Sequence, residues 1–330
     1  MMTLSDVPQY TVADQQHISD ILCCPRCKQS LYTPENAAPD RALTCRNNDC
    51  ELSATGFPDI DGVPALVDFA NSIISRDECT ASRASSYKPR RQRSLYQRLR
   101  AKMLREPNLH ARRFADTFLA EVTQLTTRPN ILVVGGGSIG STRFLYENPD
   151  VTIIGSDIYR SPSTSIIADG HHLPLKDASV HGVWIGAVLE HVLTPAEVVA
   201  EIHRVLVPGG IVFAESPFMQ QVHEGAFDFT RFTLSGHRWL FRQFEEIDSC
   251  VCTGPSSALI WSIRYYVASI FGSYKAGTIA ALMFFWVRFF RPLQKPKFVV
   301  DGASGVMFLG RRSEVSVTPK DMVKYYSGAQ

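Results

Sequence analysis

The segment Asn130–Gly140, reading NILVVGGGSIG, constrains the fold of this chain more than any other. Ile131 to Val134 are apolar and mostly β-branched, as a parallel strand buried on both faces requires. Gly135, Gly136, Gly137 and Gly140 then let the backbone turn tightly and approach a ligand closely. The pattern predicts a helix starting near Ser138, its N-terminus aimed at that ligand.

Glycine turns of this kind serve NAD, FAD and S-adenosylmethionine sites alike, so the residues that follow must discriminate. A second strand, Val151 to Asp157, ends in a carboxylate about 20 residues beyond the turn, where a doubly wound sheet holds two ribose hydroxyls. Asp157 alone would also suit a helix or turn cap. Next come ADGHHLPLKD (168–177), a strand VHGVWIGA (180–187), VLEHV (188–192), a helix from Thr194 to Leu206, and VPGGIVFAE (207–215). In this order the segments resemble the class I S-adenosylmethionine-dependent methyltransferases, over roughly residues 114–253 and a last strand near 303–311. The resemblance implies an α/β fold: a Rossmann-like, mainly parallel seven-stranded sheet with helices on both faces. It implies S-adenosylmethionine as cofactor, held by Gly135, Gly136, Gly137, Gly140 and Asp157, with Asp169 on the adenine amine. It places Glu190 and His191 at the border of the methyl-transfer pocket. Val133 stands where the family usually carries an acid that helps hold the methionine part. Ile139 stands where a third alternating glycine often falls, with Gly140 one step later. These departures keep a non-catalytic methyltransferase-fold scaffold among the readings.

The N-terminal region carries a second pattern. Cys24 and Cys27 form a Cys-x-x-Cys knuckle; Cys45 and Cys50 form a second, wider pair. Four thiolates in two pairs are the ligand set of a tetrahedral structural Zn2+ site. Cys23 is then a spare thiol. A metal-free relic of such a site and a redox pair are the competing readings, and no thioredoxin-like βαβ pattern surrounds the cysteines to favour the second. Over residues 20–67 the segment resembles the small zinc-ribbon family related to the tRNA methyltransferase activator Trm112. The resemblance rests on Cys24-Pro-Arg-Cys27 and on the FPDIDGVPAL run (57–66) that follows the second pair.

The chain of 330 residues is long enough for one α/β core and a small module. The expected division is a flexible start (1–19), a Trm112-like zinc ribbon (20–70), a basic linker or helix (71–113), a methyltransferase core (114–254), an apolar helical insertion (255–300), and a last strand with tail (301–330). Net charge is only +2, yet Arg83 to Arg113 hold eleven Lys/Arg against one acid, Glu106. Leu95, Leu99, Met103 and Leu104 recur there at helical spacing, so a basic amphipathic helix is expected before Pro107. Such a stretch reads as a solvated linker, or as a contact for phosphates of a membrane surface or of RNA. Only Tyr87 and Tyr96 interleave it, which disfavours base stacking. Eight cysteines with no signal peptide ahead of them fit a reducing cytoplasm.

Near the C-terminus, Ala258–Phe271 and Thr278–Phe290 are apolar, with a break from Gly272 to Gly277. Neither reaches the roughly 20 residues needed to cross a bilayer. Two helices are expected, packed on the core or dipping into a membrane interface with Trp261, Tyr265, Tyr266 and Trp286 at headgroup level. A spanning hairpin is a third arrangement. Acceptor chemistry is expected from Glu190 and His191 after the fourth strand, and from His223 in the segment after the fifth. Its DFTRFT run (228–233) resembles an element of the same methyltransferases, and reads as an Asp228–Arg231 pair with Thr233 capping a helix from Leu234 to Phe244, or as an acceptor contact. The leading expectation is methyl transfer to a small-molecule or lipid/glycan-linked acceptor, in the cytoplasm and peripheral to the inner face of the membrane. RNA methylation is the second.

Overall fold

The computed structural model describes Ala13, residues 15–81, 103–104 and 106–330. The basic stretch therefore lies mostly outside the described residues; Met103 and Leu104 are helical.

Four short strands precede the main sheet: β1 (Leu31–Tyr32) pairs antiparallel with β2 (Thr44–Cys45), and β3 (Asp59–Ile60) with β4 (Val63–Pro64). The seven strands that follow are β5 (Asn130–Val134), β6 (Thr152–Asp157), β7 (Ile166–Ile167), β8 (Val180–Gly186), β9 (Leu206–Pro217), β10 (Phe244–Thr253) and β11 (Gly305–Arg312). Their order is β10-β11-β9-β8-β5-β6-β7. β5 runs parallel to β6 and β8, and β6 to β7, whereas β10 and β11 are antiparallel. The apolar runs become the central strands because both of their faces are covered: Ile131 to Val134 are all buried. The expected last strand is β11, inserted between β9 and β10.

The chain divides into two compact units. The first combines the described part of residues 1–88 with Ala120–Ile185 and Ala196–Ile211; the second combines the described part of 89–119 with Gly186–Pro195 and Val212–Gln330.

Within the first unit the N-terminal module is built into the α/β layer. Leu22 forms a bridge with Leu175, the Cys23 amide donates to the Pro174 carbonyl (3.0 Å), and the Lys176 amide donates to the Ile21 carbonyl (2.8 Å). Ala65 pairs parallel with Ile167 on β7, and the Leu66 amide donates to the Ile167 carbonyl (2.8 Å). Ile60, Val63, Ala65 and Val67 share one apolar cluster with Ile167. Lys28 reaches Glu201 (2.8 Å) on the helix Pro195–Val205. That helix buries Val198, Val199, Ile202 and Val205, the stripe its 3.6-residue period provides.

The helix expected from Ser138 is shorter and later. Residues Gly140–Thr142 form a 3-10 turn, and only Arg143–Tyr146 is α-helical. Gly140 has a φ of +33°, outside the helical region, and Pro149 bars Asn148 from it.

In the second unit Phe241 stacks on Phe308 of β11, with ring centroids 4.9 Å apart. Thr233 caps the helix Leu234–Leu240, accepting from the Gly236 amide at 3.0 Å; it ends before the expected Phe244, which opens β10. The apolar segment forms the helices Pro255–Phe271 and Tyr274–Met283, then a 3-10 segment Phe285–Leu293. The expected break at 272–277 is confined to Gly272 and Ser273, because Gly277 is a helical contact residue. A Cβ there would come within 2.1 Å of the Arg264 carbonyl oxygen, so glycine sets how closely the two helices pack. Among the described residues no single helix is long and apolar enough to cross a membrane; Tyr274–Met283 and Phe285–Leu293 would suffice only together, and they are bent by 43°.

Candidate active site and candidate metal centre

The glycine turn and Asp157 lie in the first unit. Gly135 takes a φ of +74°, which turns the chain out of β5. The Asp157 carboxylate, at the end of β6, accepts from the Gly137 amide (2.7 Å) and from its neighbour Ile158 (2.7 Å). A Cβ on Gly137 would lie 2.6 Å from that carboxylate and 2.7 Å from the Tyr159 ring, so only glycine lets the two meet. Burial pushes Asp157 up from 3.8 to about 6, against the backbone amides that favour its charge. Val133 is buried in β5, in register with Gly155 and Trp184.

Asp169 is also buried, and its carboxylate is already engaged. One oxygen accepts from the His171 amide (3.0 Å) and faces His171 Nδ1 (2.6 Å); the other accepts from the Ser72 hydroxyl. Burial opposes its ionisation, but these donors hold Asp169 below the ordinary carboxylate value. The Asp169 bond raises His171 in turn. Sequence reasoning gives no role to His171 and does not single out Ser72. The two-residue spacing of an Asx turn would have signalled the first; nothing local signals the second.

The four cysteines of the N-terminal module converge. Cys24 and Cys50 sulfurs are 3.9 Å apart, Cys27 and Cys45 sulfurs 3.4 Å apart, and all four lie within 4.8 Å of one another. A tetrahedral ion with Zn–S bonds of about 2.3 Å separates its sulfurs by about 3.8 Å, so the set fits a zinc ion. Cys23 is buried outside the cluster, and burial pushes its thiol up to about 11. Burial raises Cys45 to about 11, while at Cys27 the Gln29 amide and neighbouring thiols overcome burial and bring it down to about 7. Arg26 braces the knuckle, donating to both Asp68 oxygens at 2.7 Å.

The second unit gathers Glu190, His191 and His223, whose ligand-type atoms lie within 4.8 Å of one another. Glu190 is 0% exposed, and neither of its carboxylate oxygens accepts a hydrogen bond from a described residue. The Phe229 amide donates to its backbone carbonyl (2.8 Å), drawing the 216–233 segment over it. Asp228 accepts from the His223 amide (2.7 Å) and forms a bidentate pair with Arg231, which holds it down at about 2. Both expected features of the DFTRFT run, the ion pair and the cap, are therefore present. The Glu190 carboxylate beside His223 raises that imidazole, at a separation of 3.6 Å that is an ion-pair contact rather than a hydrogen bond.

The parallel strands, the β11 insertion, and the glycine turn facing a carboxylate define the class I methyltransferase fold. Residues 132–214 match the methyltransferase domain family, about a quarter of the chain, and the protein carries such a domain. A search of the curated proteins finds no match. Among solved structures, the chain is similar to a protein assigned as a sarcosine dimethylglycine methyltransferase from Galdieria sulphuraria, with 16% identity, 62% of this chain and 86% of that one covered, and a TM-score of 0.43. It is also similar to a chain of the Haloferax volcanii complex between the Trm112 methyltransferase activator and its assigned methyltransferase (18%, 62% and 92%, 0.39). A third is the Burkholderia thailandensis 1,6-didemethyltoxoflavin-N1-methyltransferase (14%, 63% and 80%, 0.38).

Proposed function

We propose that this protein transfers the methyl group of S-adenosylmethionine to a small or lipid- or glycan-linked acceptor, working at a membrane surface. The observation that carries methyl transfer is the Asp157 carboxylate held against the Gly137 amide within a methyltransferase domain. When bound, S-adenosylmethionine supplies an electrophilic methyl on a sulfonium, so the protein's tasks are binding, alignment and exclusion of water. Asp157 accepts from the two ribose hydroxyls with the lone pairs that Gly137 and Ile158 leave over. Gly135, Gly136, Gly137 and Gly140 bring the backbone close to the cofactor. Asp169 meets the adenine amine beside its bonds to His171 and Ser72. Val133, buried in the strand, offers no side-chain charge to the methionine end. We assign the acceptor chemistry to Glu190, His191 and His223, which take up the proton that a hydroxyl acceptor loses.

Cys24, Cys27, Cys45 and Cys50 hold a structural Zn2+, and that ion supplies on the order of 10 kcal/mol of the module's folding energy. The membrane part of the reading is supported by the exposed Tyr266, Ile270, Phe271, Met283, Phe289 and Phe290 on the apolar helices. It puts the protein in the cytoplasm, peripheral to the inner face of the membrane. The RNA alternative rests on the basic stretch and serves as the comparison arm in binding tests.

The test is a calorimetric titration of S-adenosylmethionine into zinc-replete protein, with Asp157→Ala alongside. Micromolar binding that the variant loses is expected. A folded native protein that binds none would overturn the reading.

A further inference from the structure

We propose that Glu190, His191 and His223 form a second metal site, separate from the four cysteines, which holds a divalent transition-metal ion through two imidazoles and one carboxylate. The hydrogen bonds around the cluster set its chemistry. His191 Nδ1 lies 2.7 Å from the Phe227 carbonyl, which can only accept, so Nδ1 carries the proton and Nε2 carries a lone pair. That Nε2 faces Glu190 Oε1 at 3.7 Å. His223 Nδ1 lies 3.4 Å from Asp228 Oδ2 and 3.4 Å from the Gln221 carbonyl, again acceptors, so Nδ1 carries a proton and Nε2, 3.6 Å from the same Glu190 oxygen, is the atom that would meet an ion. Two imidazole Nε2 atoms and a carboxylate thus converge, the ligand atoms lying within 4.8 Å of one another. Both oxygens of a fully buried carboxylate are left without a hydrogen bond from the described residues, an arrangement that is costly unless a cation completes it.

The two spacings to Glu190 fit an ion. Charge-assisted hydrogen bonds from protonated imidazoles would draw Glu190 to about 2.7–2.9 Å. A tetrahedral ion with bonds of about 2.1 Å holds its donors about 3.4 Å apart. The observed 3.6 and 3.7 Å fall on the ion's side. The outer groups are those that orient metal-binding histidines: a carbonyl behind His191, and a carboxylate behind His223 that Arg231 fixes in turn. Two imidazoles and a carboxylate suit zinc or ferrous iron and leave positions open for further ligands. Here the proposal rests on the methyl-transfer reading: an acceptor hydroxyl at an open position would be made more acidic by the ion and give its proton to solvent water, the three side chains then serving as ligands in place of the proton takers they would be without the ion, which makes the acceptor an oxygen nucleophile.

The experiment is a Co2+ titration of the metal-stripped full chain, followed by absorption. Two equivalents are expected: one with the intense thiolate-to-cobalt band of a four-sulfur site, the other with only weak visible bands. Glu190→Gln and His223→Gln should each lose the second equivalent and keep the first, whose thiolate band reports that the variant is folded. Asp228→Asn, acting through His223, should weaken the second site about 10- to 100-fold. A single equivalent in the native chain, or two equivalents surviving in His223→Gln, would overturn the site. Titrating the native protein with S-adenosylmethionine separates the two claims. Cofactor binding with one cobalt equivalent sinks only the ion; two equivalents without cofactor binding sink only the methyl-transfer reading.

Discussion

Asp157 shows how one buried side chain ties ligand binding to pH. Its carboxyl is pushed up from 3.8 to about 6 by burial. The ionised form is the better acceptor for ribose hydroxyls, so affinity for S-adenosylmethionine should hold above pH 6 and fall as pH drops through it; calorimetric titrations from pH 5 to about 8 check this. The sign for stability is opposite: a raised carboxyl contributes most below 3.8, and that contribution is lost as pH rises to about 6. Arg26 carries a second residue-scale prediction. Arg26→Ala leaves the buried Asp68 carboxylate without its bidentate partner. Loss of about 3 kcal/mol is expected from denaturant unfolding of the zinc-replete protein. Asp157 was legible in the sequence because strand length and loop spacing fix it locally. Ser72 was not, because its bond to Asp169 spans 97 residues and depends on how the N-terminal module docks.

At the level of elements, hydrophobic runs announced the strands and one small residue misled. Gly277 reads as a turn residue in sequence, since glycine is a poor helix former. In the structure it lies inside the helix Tyr274–Met283, against the Arg264 carbonyl. Gly277→Val should therefore destabilise the protein by about 2–3 kcal/mol despite valine's better helix propensity, seen as a lowered melting temperature. The glycine turn misled in the other direction, promising a longer helix than Gly140 and Pro149 allow. Glu190 and His223 were each legible as acceptor candidates, but their convergence was not. It depends on the Phe229 amide reaching the Glu190 carbonyl and on Arg231 fixing Asp228, contacts that no periodicity encodes.

For the molecule as a whole, the exposed aromatic and aliphatic side chains of the C-terminal helices make a direct prediction. The protein should float with anionic vesicles, and Phe289→Ser with Phe290→Ser should reduce that binding about tenfold or more, because about 1.5–3 kcal/mol is lost per large apolar side chain. Retention on RNA with no vesicle binding would reverse the ranking of acceptors. The N-terminal module bears on a different property. Ala65 and Leu66 lie along β7, at the end of the strand order, and occupy hydrogen-bonding groups that would otherwise be open to another chain. Unfolding of that small module would uncover a sticky strand as well as loosen a brace. Were the proposed zinc what folds that module, cells short of metal would meet this protein first as a solubility problem, cleared by chaperones and proteases before any loss of catalysis could be measured.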